Sequence, residues 1–157
     1  MPRPEKDRLV FKPPFYTEFK PLGIASKNLD DVQLSLDEYE AFRLADHMGL
    51  SHEEAADEMD ISRSTFSRLI EKSRRKIAEF IINGKHLTID GGNIHFKNNI
   101  IYCQNCGYKF ITNFQTRFDL CPECHSDNLI NLAGGFGHGK CCDNRKHRKG
   151  GNHARRR

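Results

Sequence analysis

The sequence contains no tryptophan and no long apolar run. Of its 157 residues, 37% are hydrophobic and 29% are charged. No stretch approaches the roughly 20 consecutive apolar residues that a membrane-spanning helix needs, which excludes a membrane protein. The first residues are polar where a secretory signal would have its apolar core, so we expect a cytoplasmic protein.

A recognisable catalytic arrangement is also missing from the sequence. It contains no Gly-rich phosphate-binding loop, and its Ser, His and Asp residues fit no known pattern of nucleophile and base. We therefore expect a protein without enzymatic activity.

Proline is scarce beyond residue 21, because five of the six prolines lie within residues 1–21. Proline removes a backbone donor and favours extended geometry in the residue before it, so residues 1–33 are predicted to be irregular or extended. The same segment holds the aromatic residues Phe11, Phe15, Tyr16 and Phe19. We expect it to be an arm that packs on the next domain.

Charge is distributed unevenly along the chain. Acidic residues are concentrated in 35–60, and basic residues in 61–90 and 125–157. This pattern favours a protein that binds a polyanion in one orientation, although solvated charged faces would give it too. From residue 134 the sequence is rich in Gly, Lys, Arg and His, which predicts a disordered basic tail over 134–157.

Three helix starts carry the same capping chemistry. Ser35 is followed by Glu38, and Ser51 by Glu54, at the spacing of a capping box. Ser62 repeats the cap without the glutamate. With the apolar periodicity that follows each cap, these signals predict three helices, over residues 36–47, 52–59 and 63–82.

The second and third predicted helices form a helix-turn-helix pattern. Ala55 and Ala56 allow two helices to approach closely, and the connecting turn is very short. Short polar side chains and arginines at the start of the third helix suit the major groove, while later basic residues suit phosphates. The candidate DNA-binding residues are Arg63, Ser64, Thr65, Ser67, Arg68, Arg74, Arg75 and Lys76.

This segment resembles the helix-turn-helix of bacterial sigma-factor region 4. From residue 1 to about 92, the chain resembles domain of unknown function family 134, a family of predicted DNA-binding proteins. The resemblance implies a DNA-binding domain of three or four helices without enzymatic activity. One departure is Asp60 in the turn, where glycine is usual, although Asp tolerates positive φ better than most residues. The matching segments are Met1–Pro4, Phe19–Gly23, Leu36–Asp46, Glu53–Ala56, Ile61–Arg68, Arg74–Lys76 and Asn83–Lys85.

Two C-x-x-C pairs follow, Cys103 with Cys106 and Cys121 with Cys124. Two such pairs complete a tetrahedral site of four thiolates, so we expect one structural Zn²⁺ per chain. The segment 100–133 is similar to a zinc ribbon, with short strand-like runs beside the cysteines. A rubredoxin-like iron site uses the same ligands and stays an alternative. A redox role is disfavoured, because neither pair starts a helix in a thioredoxin-like setting.

Cys141 and Cys142 are adjacent, with His138 and His147 nearby. One interpretation is functional: a second, weaker metal site or a redox-sensitive thiol pair. The other is that these thiols occur by chance in a flexible tail. The low-complexity composition favours the tail.

Together these features predict a mainly α protein: a helix-turn-helix domain, a small β zinc ribbon and a disordered basic tail. The predicted domains are the arm 1–33, the DNA-binding domain 34–92, the ribbon 100–133 and the tail 134–157. The expected function is sequence-specific DNA binding in transcriptional regulation. Candidate partners are double-stranded DNA, RNA polymerase and a second copy of the chain. The alternatives are a metal-handling or metal-sensing protein, a sigma-like adaptor that binds polymerase without reading bases, and an RNA-binding protein.

Overall fold

A computed structural model describes residues 7–143 of the chain. A 3₁₀ turn covers Ser26–Asn28, and a π-helical turn covers Arg43–His47. The remaining elements are, in chain order, β1 Arg8–Val10, β2 Glu18–Phe19, β3 Asp31–Leu34, α1 Leu36–Phe42, α2 His52–Met59, α3 Arg63–Asn83, β4 His86–Ile89, β5 Ile94–Phe96, β6 Asn99–Cys103, β7 Lys109–Thr112, β8 Leu129–Asn131, α4 Leu132–Gly135 and α5 Lys140–Asp143.

The chain divides into two compact units. The helical unit contains the described residues up to Val10 and the segment Pro14–Ile94. The cysteine unit contains Phe11–Pro13 and the described residues from His95 onward, including all six cysteines.

The predicted caps open the three main helices. The Ser35 hydroxyl accepts from the Glu38 backbone N–H at 3.4 Å, and the Glu38 carboxylate accepts from the Ser35 N–H at 3.1 Å, which completes the capping box. Ser51 and Ser62 each accept from the N–H three residues on, at 3.2 Å. All three helices therefore begin where the sequence predicts, because each start is encoded locally.

One hydrophobic cluster joins the helices of the helical unit. Phe66 and Met59 are fully buried in it, and the small side chains of Ala55 and Ala56 are buried where α2 meets α3. Burial of this apolar surface is the main stabilising contribution to the unit. The cluster consists of Ala41, Leu44, Ala55, Ala56, Met59, Ile61, Phe66, Leu69 and Ile70.

The prediction of a mainly α protein is wrong, because the structure has 38% helix and 21% strand. Part of the arm, which was predicted to be irregular or extended, forms strands of a three-stranded sheet in the order β2-β4-β3. β3 runs parallel to β4, with Asp31 opposite His86, and β2 runs antiparallel to it. These strands depend on a partner far along the chain, so their short sequences carry little local signal.

The cysteine unit is built on an antiparallel sheet in the order β7-β6-β8. Asn99 pairs with Thr112 across β6 and β7, and Cys103 pairs with Leu129 across β6 and β8. These strands match the strand-like runs that the sequence shows beside the C-x-x-C pairs.

The predicted disordered tail needs a correction in its first part. Gly134 and Gly135 end the short helix α4, Lys140–Asp143 form α5, and residues 136–139 lie between the two helices. Residues 144–157, the rest of that predicted tail, lie outside the described residues. Within residues 7–143, no helix combines the length and the apolar character that crossing a bilayer requires.

Candidate metal centre and nucleic-acid interface

The two C-x-x-C pairs lie on turns of the same kind. In the first, the Gly107 N–H donates to the Cys103 carbonyl at 2.9 Å, and in the second the His125 N–H donates to the Cys121 carbonyl at 2.9 Å. The residue after each pair has a positive φ, 79° at Gly107 and 60° at His125. The histidine in the second turn therefore adopts the conformation that glycine provides in the first, at some steric cost.

These turns bring the four sulfur atoms together. The Cys103 and Cys124 Sγ atoms are 3.6 Å apart, and the Cys106 and Cys121 Sγ atoms are 3.7 Å apart. All four sulfur atoms lie within 4.8 Å of one another. With metal–sulfur bonds of about 2.3 Å, a tetrahedral site has sulfur–sulfur edges of about 3.8 Å. The four cysteines therefore fit a tetrahedral metal ion and could hold one.

Neighbouring groups shift the pKa values of two of these thiols in opposite directions. The Asn105 side-chain amide and then the Ser126 backbone N–H hydrogen-bond to Cys124 and lower the pKa of its thiol to about 6. A hydrogen bond from the Tyr108 N–H lowers the pKa of Cys106, but burial and the other three thiols outweigh it and raise that pKa to about 12. Four thiolates this close repel one another, and a bound cation would relieve that repulsion.

The turn between α2 and α3 has the geometry that the sequence suggests. Asp60 has a left-handed conformation, with φ 56° and ψ 44°. The Ile61 N–H then donates to the Ala56 carbonyl at 3.0 Å, and Ser62 caps α3. Asp60 therefore takes the backbone conformation for which such turns usually carry glycine.

The candidate DNA-binding residues at the start of α3 differ in their surroundings. Arg63, Ser64 and Arg68 are exposed in the first two turns of the helix, where Phe66 and Leu69 are buried. Among the described residues, neither arginine forms a salt bridge. Thr65 is bonded to the capping serine at 2.7 Å, and Ser67 is bonded to His52 at 2.9 Å, so these two side chains also support the local fold.

The three basic residues predicted to meet phosphates all have protein partners. Arg74 makes a two-point contact with Asp46, at 2.9 and 2.7 Å, and this hydrogen bond lowers the pKa of the carboxyl group. Lys76 bonds to the Glu38 carboxylate at 2.7 Å and is only 29% exposed. Lys76 thus links α3 to α1, a role that its sequence position does not reveal.

Arg75 pairs with Glu71 at 2.8 Å, and both side chains are largely exposed. Glu71 lies on the same exposed side of α3 as Arg68 and Arg75, and it is not among the candidate residues predicted from the sequence. The i, i+4 spacing of an acidic and a basic residue is the signal that could have identified the pair.

Comparisons with known proteins place the chain in a family. The model of the family described as "Protein of unknown function DUF134" matches residues 1–97. A UPF0251 protein of Chloroherpeton thalassium is 45% identical over 132 residues, which cover 84% of this chain and 87% of that protein. A UPF0251 protein of Pelotomaculum thermopropionicum is 44% identical over 126 residues, covering 80% and 95%. A third, from Caldicellulosiruptor bescii, is 41% identical over 141 residues, covering 90% and 95%.

No solved structure matches the chain. The family model covers more than half of the chain, and these relatives align over most of their own length. The chain therefore belongs to the DUF134 (UPF0251) family.

Proposed function

We propose that this protein is a sequence-specific DNA-binding protein that regulates transcription and places the start of α3 in the major groove. The observation that carries the proposal is the exposure of Arg63, Ser64 and Arg68 in the first two turns of α3, with neither arginine engaged in a salt bridge among the described residues. Arginines at the N-terminal part of a recognition helix donate two hydrogen bonds to guanine.

The short turn before α3 supports this proposal. The left-handed Asp60 and the Ser62 cap fix where α3 begins, and the buried residues Met59 and Phe66 hold α2 and α3 together. A recognition helix on a rigid scaffold loses little conformational entropy when it binds.

The basic residues further along α3 would contact DNA phosphates, which are the same in every DNA sequence. Arg75 can leave Glu71 for a phosphate at small cost, because a pair this exposed is weak. Arg74 can do the same with Asp46, although its two-point contact has the better geometry. Lys76 is expected to contribute less, because it is partly buried against Glu38.

The proposed role of the four-cysteine centre is structural. We assign it one Zn²⁺ per chain, because a closed site of four thiolates is the usual setting for structural zinc. When bound, the ion joins the two C-x-x-C turns, while β6, β7 and β8 position the first turn by pairing. The protein needs no catalytic step in this role.

Selection of binding sites from random duplex DNA with the purified full chain tests the proposed function. The expected result is enrichment of a defined motif, and two copies of it at a fixed spacing would indicate that two chains bind together. Arg68→Ala should weaken the enrichment and remove the preference for guanine at one position of the motif, and the control Lys27→Ala, which removes a charge from an exposed position outside α3, should leave the motif unchanged.

The same selection can contradict the proposal. Absence of any enriched motif, together with binding to RNA polymerase, would favour the adaptor. Preferential retention of RNA over duplex DNA would favour an RNA-binding protein.

A further inference from the structure

We propose that His95, His138, Cys141 and Cys142 form a second metal site in the cysteine unit and bind Zn²⁺. His95 lies on β5, and the other three residues lie between α4 and the end of the described chain. One ligand atom from each residue lies within 4.8 Å of every other. The site is separate from the four-cysteine centre and does not depend on DNA binding.

The distances between these atoms fit one tetrahedral ion. The two Sγ atoms are 3.8 Å apart. The Nδ1 atom of His138 is 3.3 Å from the Cys141 Sγ and 3.5 Å from the Cys142 Sγ, and the Nδ1 atom of His95 is 3.7 Å from the Cys142 Sγ. Bond lengths of about 2.3 Å to sulfur and about 2.0 Å to nitrogen give edges of about 3.8 Å between sulfurs and about 3.5 Å between sulfur and nitrogen.

Adjacent cysteines share a metal ion only when their side chains converge, and here they do. Cys141 and Cys142 lie on the short helix α5, where the Cys142 N–H donates to the Gly139 carbonyl at 3.0 Å. Cys142 is buried at 4% exposure, while Cys141 is exposed. This placement differs from a flexible tail with chance thiols, which the composition favoured.

Neighbouring groups hold the proposed ligands in place. The Phe96 backbone N–H points at the Cys142 Sγ at 3.2 Å, a hydrogen bond that favours the thiolate. The fully buried Phe96 ring also packs edge-on against the His138 ring, with centroids 5.2 Å apart. Contacts of this kind orient metal ligands in known sites.

The charge of the ligand set suits a buried divalent cation. Binding of Zn²⁺ displaces one proton from each thiol, and two thiolates with two neutral imidazoles then balance the charge of the ion. Tetrahedral sets of two sulfurs and two nitrogens are typical of zinc. The neutral complex avoids the cost of burying a net charge beside Cys142.

The ion would hold the segment 137–143 against β5. The backbone hydrogen bonds at the start of this segment are local, from the Gly137 N–H to Gly134 and from the His138 N–H to Ala133. The α5 helix has only four residues, too few to be stable alone. Coordination by His95 would supply a long-range connection between this segment and the strand.

Titration of the metal-free full chain with Zn²⁺, against a chromophoric chelator, tests the proposal. The expected result is two equivalents of zinc for the unaltered chain and one for the Cys141→Ser/Cys142→Ser double variant. His95→Ala should weaken the second equivalent at least about tenfold. The controls His47→Ala, which alters an exposed residue of the helical unit, and His147→Ala, outside the described residues, should keep two.

Two further measurements separate a lost site from a misfolded chain. The absorption spectrum of the Co²⁺-loaded unaltered chain minus that of the Co²⁺-loaded double variant should be the spectrum of a tetrahedral ion bound by two thiolates. Amide hydrogen exchange in 137–143 should slow when zinc is added to the unaltered chain and not when it is added to His95→Ala. A single equivalent in the unaltered chain, or two in the double variant, would overturn the proposal and leave the four-cysteine centre untouched.

Discussion

The helical unit and the cysteine unit bury different kinds of side chain. Nine hydrophobic residues form one cluster in the helical unit. In the cysteine unit the buried side chains include three cysteines, Cys103, Cys121 and Cys142. We therefore expect apolar burial to suffice for the order of the helical unit, and we expect the cysteine unit to depend in addition on a metal ion that holds its cysteines together.

The largest expected effect is that of Cys121→Ser. Structural zinc contributes on the order of 10 kcal/mol to the folding of small metal-dependent domains, and this change removes a buried ligand. We expect β6, β7 and β8 to lose protection from amide hydrogen exchange while the helical unit keeps its own. Metal analysis should show one equivalent fewer per chain. Unchanged protection in β6 would contradict the dependence on metal.

Phe66→Ala tests the hydrophobic cluster of the helical unit, as Cys121→Ser tests the metal centre of the cysteine unit. Removal of this fully buried ring should lower the free energy of unfolding of the helical unit by about 3–5 kcal/mol, because it leaves a cavity in the cluster. Chemical denaturation followed by circular dichroism measures the change. The control Ile81→Ala, at a position 68% exposed, should change stability by less than about 0.5 kcal/mol. Loss of zinc from the Phe66 variant would show that the two units do not fold separately.

Substitution of Asp60 tests the turn before α3. Asp60→Val should destabilise the helical unit by about 1–2 kcal/mol, because a β-branched residue is strained at φ 56°. Asp60→Gly should equal or exceed the unaltered chain in stability, since glycine adopts this conformation freely. Asp57→Val, the same exchange at an exposed position of α2, is the control. Equal thermal denaturation midpoints for Asp60→Val and Asp57→Val would exclude strain at the turn.

The smallest expected effect is that of Asp46→Asn, which removes the ion pair between Asp46 and Arg74. The hydrogen bond from Arg74 lowers the pKa of Asp46 below 3.8, so the pair stabilises the folded state above that pH and the contribution is lost as the pH falls through the lowered pKa. Asp46→Asn should cost less than about 1 kcal/mol at neutral pH, because solvent screens a pair this exposed. Denaturation at pH 7 and at pH 2 should show this cost only at pH 7. A difference that persists in acid would contradict an electrostatic origin.

The sequence predicts α1, α2 and α3 well, because their signals are local. Ser35, Ser51 and Ser62 each bond within three residues along the chain, so the caps can be read without knowledge of the fold. The strands β2 and β3 could not be predicted in this way. Their partner β4 lies more than 50 residues further along, and pairing with it decides their structure.

The two candidate metal sites also differ in this way: one can be predicted from local sequence, and the other cannot. Spacing alone identifies the four cysteines of the first centre, since each turn needs only four residues. No spacing connects His95 with Cys142, because only the fold brings β5 beside α5 within the cysteine unit. The burial of His86 beside Asp31 and Glu18 also depends on the pairing of distant strands, so no local signal in the sequence indicates it.

Base reading by α3 is tested most directly by the affinities of Arg68→Ala and Arg75→Ala for the selected DNA site and for random duplex DNA. An arginine–guanine contact is worth about 1–3 kcal/mol of discrimination, which corresponds to a loss of about 5-fold to 150-fold in affinity. Arg68→Ala should show this loss on the selected site and a much smaller one on random DNA. Arg75→Ala should weaken both by similar factors, because a phosphate contact carries no sequence information. Equal losses for both variants on both DNAs would contradict base reading by α3.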